Sequence, residues 1–143
     1  MLQGNILIRA SLDEYDYDWC EFEVTITKGR SETQVHFGSA IGTWKEFGLA
    51  LQSYPSKATD YVLFESGIGG LYEEKLILKA YCYDTIGHTA LTVNIDHKKE
   101  PPDDFRIHFS VLAEAASLNH LGRLLANWEV KNNSELYWQA YTS

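Results

Sequence analysis

The chain has 143 residues, 45% apolar and 13% aromatic, with 12 basic and 20 acidic side chains and a formal net charge of −8 at pH 7. This length fits a single domain over residues 1–143 that buries roughly 70% of its unfolded surface, and the apolar content argues against disorder. The acidic balance disfavours nucleic-acid binding, and no stretch approaches the ~20 apolar residues of a membrane span.

The dominant hydrophobic period is two. Gly4–Leu12 reads as a first strand. In Cys20–Thr27, Cys20, Phe22, Val24 and Ile26 share one face, and Glu21, Glu23, Thr25 and Thr27 share the other, as in a half-buried strand. Lys28-Gly29-Arg30-Ser31 suits a tight turn into a third strand, Glu32–Phe37, because glycine tolerates positive φ. Thr43-Trp44-Lys45-Glu46 has the form of a capping box. Trp44, Phe47, Leu51 and Tyr54 then follow at helical spacing up to Pro55.

Strands are expected next at Tyr61–Glu65 and Glu74–Tyr83, joined by a flexible Ser66-Gly67-Ile68-Gly69-Gly70 connection. Two more follow, at Thr89–Asp96 and Phe105–Val111. Between them His97–Asp104, with Pro101-Pro102, reads as an exposed loop. A second helix begins near Ser117 as N-cap and buries Leu118, Leu121, Leu125 and Trp128. Gly48 and Gly122 each cost about 1 kcal/mol inside a helix, so close packing on a sheet is expected there. The order βββαββββα predicts an α+β fold, with a mainly antiparallel sheet of about seven strands and both helices on one face. Lys131–Ser143 carries Leu136, Tyr137, Trp138 and Tyr141. This extension is expected to dock on the body or on a second subunit, a possible homodimer.

Chemistry is sparse along the chain. His36, His88, His97, His108 and His120 show no H-E-x-x-H or other compact ligand spacing, and no metal or cofactor is expected. His36 and His108 read as solvated residues on polar strand faces. Cys20 and Cys82 are too few for a disulfide framework and read as buried thiols. Glu65-Ser66-Gly67 lacks the leading glycine of a nucleophile elbow, and Gly67-Ile68-Gly69-Gly70 lacks the lysine of a phosphate loop. Asp84 and His88 flank a turn and could form an acid–base pair, but an aspartate stabilising its own turn beside a surface histidine is the plainer reading. Met1–Asn5 has neither the basic flank nor the apolar run of a secretory signal, so a cytoplasmic location is expected.

The negative charge is concentrated. Asp13, Glu14, Asp16, Asp18, Glu21 and Glu23 crowd together without a basic residue among them, interleaved with Tyr15, Tyr17 and Trp19. Localised charge of one sign steers an oppositely charged partner, and Tyr and Trp anchor interfaces at low rotamer cost. A solvated strand and turn is the plainer reading of the same residues. A calcium site at Asp13, Asp16 and Asp18 is a third, weakened by the missing glycine and distal glutamate of the EF-hand loop.

Asp16-Tyr17-Asp18-Trp19 leading into Glu21-Phe22-Glu23-Val24 resembles the start of WapI-type immunity proteins. Trp44–Leu51 is similar to that family's first helix. Phe64-Glu65, Leu76-Ile77-Leu78, Gly87-His88-Thr89, Phe109 and the Leu118–Trp128 helix follow in the family's order. Tyr81-Cys82-Tyr83-Asp84 and the segment beyond Lys131 are not part of the likeness. The resemblance implies a non-catalytic protein without cofactor that neutralises the toxic domain of a bacterial contact-dependent or wall-associated toxin. The expected contact residues are then Asp13 through Trp19 with Glu21 and Glu23, facing a basic toxin surface. The alternatives are a ligand-binding or assembly module using a sheet face or Tyr137, Trp138 and Tyr141, and a small enzyme using Asp84 and His88.

Overall fold

The computed structural model describes residues 1–67 and 73–143. The strands and helices follow as β1 (Leu2–Leu12), β2 (Trp19–Lys28), β3 (Ser31–Ala40), α1 (Lys45–Leu51) and β4 (Tyr61–Ser66). After these come β5 (Lys75–Cys82), β6 (Thr89–Asp96), β7 (Arg106–Leu112), α2 (Ala115–Asn127) and β8 (Glu135–Tyr141). Ile68, Gly69 and Gly70 of the expected flexible connection lie outside the described residues.

The fold is α+β with antiparallel strands, but the strands do not make one sheet of seven. They form two four-stranded sheets, β3-β2-β1-β8 and β4-β5-β6-β7. The reason is burial: each strand has one apolar face, and two layers facing each other hide both sets of side chains at once. Ile6, Ile8, Phe22, Val24 and Val35 of the first sheet share a continuous core with Leu76, Leu78, Leu91, Val93 and Val111 of the second. The β2–β3 hairpin closes through Gly29 at φ 59°, with Lys28 paired to Ser31. An L side chain is strained at that φ, which is why glycine stands there.

The helices also depart from expectation. They do not lie together on one sheet face; they pack on each other, with α1 against β4 of the second sheet and α2 against β8 of the first. Elsewhere the sheets meet directly: Lys28 Nζ donates to the Ser110 carbonyl at 2.5 Å. A Cβ on Gly4 would lie 3.1 Å from Val111 Cγ1. Next to α1, Trp44 is 2% exposed and meets Phe22 edge-on, with ring centroids 5.9 Å apart. Its other side stacks on Phe64 of the second sheet at 4.1 Å and 7°. Gly48 and Gly122 make the helix pair possible, because a Cβ on Gly48 would lie 2.9 Å from the Gly122 carbonyl oxygen and 2.6 Å from the Ala126 nitrogen. Their tight packing is helix against helix, not helix against sheet.

Neither expected cap forms. Trp44, not Thr43, holds the N-cap position of α1, and no side chain caps that helix.

 α2 begins at Ala115, so Ser117 sits inside the helix and its hydroxyl serves β8 instead, donating to the Gln139 carbonyl at 3.2 Å. Tyr54 and Trp128 fall just beyond their helices; Tyr54 is nevertheless buried. Lys131–Ser143 contains β8, which pairs with β1 and sends Leu136, Trp138 and Ala140 into the core. Trp138 Nε1 donates to the Ser117 carbonyl at 2.9 Å, tying that strand to α2.

Candidate protein-binding face

The crowded carboxylates occupy the β1–β2 loop and the outer face of β2. The loop is built by its own acids. Asp13 Oδ1 accepts from the Tyr15 and Asp16 N–H groups at 2.7 and 3.1 Å, and Asp16 Oδ1 accepts from the Asp18 N–H at 3.0 Å. Aspartate is suited to this because its short side chain reaches backbone two residues ahead. The backbone closes the loop from both sides, with the Asp13 N–H on the Trp19 carbonyl and the Trp19 N–H on the Asp16 carbonyl, each at 3.1 Å. The Asp18 carbonyl also accepts from the Ile41 N–H at 2.9 Å, which fixes the loop to the chain after β3.

That scaffold holds two aromatic rings out in solvent: Tyr15 is 95% exposed and Tyr17 76%. Trp19 behaves differently. Its indole lies over Gly38, where a Cβ would stand 2.7 Å from Nε1, and Nε1 donates to Glu21 Oε1 at 3.3 Å. Among the described residues none of Asp13, Glu14, Asp16, Asp18, Glu21 or Glu23 enters an ion pair.

The nine expected contact residues therefore divide by position. Asp13 and Asp16 shape the loop, Glu14, Tyr15, Tyr17 and Asp18 are exposed on it, and Trp19, Glu21 and Glu23 lie on the sheet face. Strand pairing adds residues that the linear sequence did not group with them. Arg9 stands opposite Glu23 on one side and Glu135 on the other, and His36 stands opposite Glu23. Arg9 Nε bonds Glu135 Oε1 at 3.1 Å. These side chains line a shallow depression of about 350 Å³ beside Glu21. The alternation of β1 and β8 marks Arg9 and Glu135 as outward-facing, but only the register shows that they are neighbours.

The other candidates separate from this face. Asp84 and His88 do meet, Oδ2 to Nδ1 at 2.5 Å, and Tyr83 stacks on the imidazole. The bond from His88 is the leading cause that holds the Asp84 carboxyl below its usual range, helped by the Ile86 and His88 N–H groups. The pair sits in the exposed β5–β6 turn, and its aspartate does the turn-building work described for Asp13. Among the described residues no group of three or more His, Cys, Asp or Glu is placed to hold a metal ion. His36 and His108 are exposed, His108 bonding Asn94. Cys20 and Cys82 are free thiols, the first buried and the second half-buried; burial pushes the Cys20 thiol up. Of the C-terminal aromatics, Trp138 is core, while Tyr137 and Tyr141 line a depression beside α2 with His120.

No helix among the described residues is long and apolar enough to cross a membrane. Comparison with protein-family models, with curated proteins and with solved structures finds no match.

Proposed function

We propose that this is a non-catalytic, immunity-type protein that binds a basic toxin domain through the β1–β2 loop and the outer face of the first sheet. The observation that carries the reading is the combination at that loop: carboxylates without cationic partners, on a hydrogen-bonded scaffold that holds Tyr15 and Tyr17 out in water. A solvated acid needs no such aromatic company, since exposing large rings carries a hydrophobic cost of about 25 cal/mol per Å² until something covers them. Charge would steer the encounter and the rings would hold the complex. The resemblance to WapI-type immunity proteins points the same way. Under this reading the protein acts in the cytoplasm, needs no cofactor, and makes no use of nucleic acid or membrane.

The test reverses Glu14, Asp18 and Glu21, which leave the hydrogen bonds of Asp13 and Asp16 to the loop backbone intact, to lysine and follows association with the toxic domain encoded beside this protein's gene. The association rate at low salt is expected to fall at least about tenfold, with a flatter salt dependence and an unchanged circular dichroism spectrum. Unchanged binding removes this face from the interface.

A further inference from the structure

The four sheet edges are treated unequally. An open edge offers unpaired N–H and C=O groups to any passing strand, and folded proteins ordinarily obstruct it. On β3 the Gln34 carbonyl lies 3.0 Å from His97 Nε2, and the His36 N–H donates to Glu74 Oε1 at 3.0 Å. On β7 the Ser110 carbonyl accepts from Lys28 Nζ. On β8 Ser117 Oγ accepts the Tyr141 N–H at 3.1 Å while donating to the Gln139 carbonyl, and the Glu114 N–H reaches the Tyr141 carbonyl. Among the described residues nothing does the same for β4.

The phase of the second sheet fixes which β4 groups are open. The Tyr83 N–H bonds the His88 carbonyl, and the His97 N–H bonds the Phe105 carbonyl. Backbone groups of alternate residues point to the same side of a strand. Counting from those bonds, Tyr81, Lys79 and Ile77 bond toward β6, and Ala80, Leu78 and Leu76 toward β4. Their partners Val62, Phe64 and Ser66 are thereby engaged with β5. The N–H and C=O groups of Tyr61, Leu63 and Glu65 face away from the sheet. The side chains of Tyr61 and Leu63, 62% and 41% exposed, stand beside them on the outer face.

We propose that β4 pairs antiparallel with β4 of a second copy of this chain, across a two-fold axis at Leu63, joining the two second sheets into one. The argument for a second copy is the self-complementarity of the outward residues. A two-fold pairing centred on Leu63 engages all of them: Leu63 meets the partner subunit's Leu63, and Tyr61 meets the partner subunit's Glu65. The phenol can donate to the carboxylate, and no glutamate faces a glutamate. The two-fold axis makes the contacts reciprocal, and the residues of this edge are compatible with their own reciprocal partners: apolar on apolar at the axis, phenol on carboxylate on either side. A single shared ladder lies at the small end of specific interfaces, so the dimer is reversible and concentration-dependent.

Sedimentation equilibrium of the full chain from about 1 µM to about 1 mM tests this, a range that spans weak association. Leu63→Lys sets two ammonium groups against each other across the axis, and the dissociation constant is expected to rise about tenfold or more. Tyr61→Lys places a cation opposite the partner subunit's Glu65, and the constant is expected to fall a few-fold. Neither substitution touches a core side chain or a backbone bond to β5; both bring an ammonium near Lys79, which stands opposite Leu63 and over the Tyr61 ring, so thermal melts check that each variant is folded. The Tyr61 variant carries the test if the Leu63 variant does not fold. A chain that stays monomeric throughout overturns the proposal and leaves an extended segment of another protein as the occupant of the edge. A dimer indifferent to both substitutions overturns it as well. The proposal does not rest on the acidic face, which lies on the other sheet, so either can fail alone.

Discussion

The outer faces of the two sheets are built from the same alternation but finish differently. On the second sheet the polar groups satisfy one another: Arg106 pairs with Asp96 at 3.6 Å, Thr92 Oγ1 lies 3.2 Å from Ser110 Oγ, and Lys79 Nζ sits 4.9 Å over the Tyr61 ring. On the first sheet Arg9 is committed to Glu135, and among the described residues Glu21 and Glu23 have only neutral donors, from Trp19 and Gln34. The first face, with its loop, thus carries much of the chain's surplus negative charge. A net charge read from composition says nothing about this. Its consequence for encounters depends on which sheet, and which side of it, holds the carboxylates.

The inner faces should be alike where the outer faces differ, and Trp44 tests this most severely because its ring touches both sheets. Trp44→Ala is expected to cost about 3–5 kcal/mol in urea unfolding, with one cooperative transition. Two separate transitions would show that the sheets do not share a core. The next effect is local to the first face. Gly38→Ala puts a methyl group where the Trp19 indole and Glu21 carboxylate lie. Both are flexible at that point, so a stability change under about 1 kcal/mol is expected together with easier acrylamide quenching of Trp19. A large loss of stability would mean that Trp19 is structural.

The smallest effect lies on the second-sheet side, before β4. Asp60 accepts from the Ser56 hydroxyl at 2.6 Å and from the Ser56 and Lys57 N–H groups, and these bonds, the hydroxyl foremost, hold its carboxyl below the ordinary value of 3.8. A lowered folded-state pKa means a contribution fully present above 3.8 and lost as pH falls through the lower folded value. Denaturant melts should therefore place wild type above Asp60→Asn at pH 5, with the gap closing as pH falls below 3.8. A gap independent of pH would assign the difference to the turn geometry instead.

Much of the strand content was legible because a half-buried strand shows its burial in its own alternation. Thr89–Asp96 has the same bounds in the sequence reading and in the fold. The same rule applies to Leu136, Trp138 and Ala140, yet by sequence alone their segment reads as a docking extension, not as a strand of the sheet. Its partner, β1, lies at the other end of the chain, so nothing adjacent completes a hairpin signal. The caps at Thr43 and Ser117 were misplaced because the residue types fit a local motif, while Ser117 found a better partner in β8. At the acidic loop the residue types were legible and their division of labour was not. Asp13 and Asp16 look like Asp18 in sequence, and only the backbone around them shows which carboxylates build the turn.

By itself the sequence determined seven of the strands, both helices and which face of those strands is apolar, because these follow from side chains spaced within a single segment. It also determined where along the chain the acids and aromatics gather. The tertiary structure decided that the strands divide into two sheets, that Gly48 meets Gly122, that Arg9 lies between Glu23 and Glu135, and that β4 stands at the edge of its sheet. Those are pairings between distant segments. Alternation shows a strand which way to face, but the identity of its neighbour comes from the packing of the whole core.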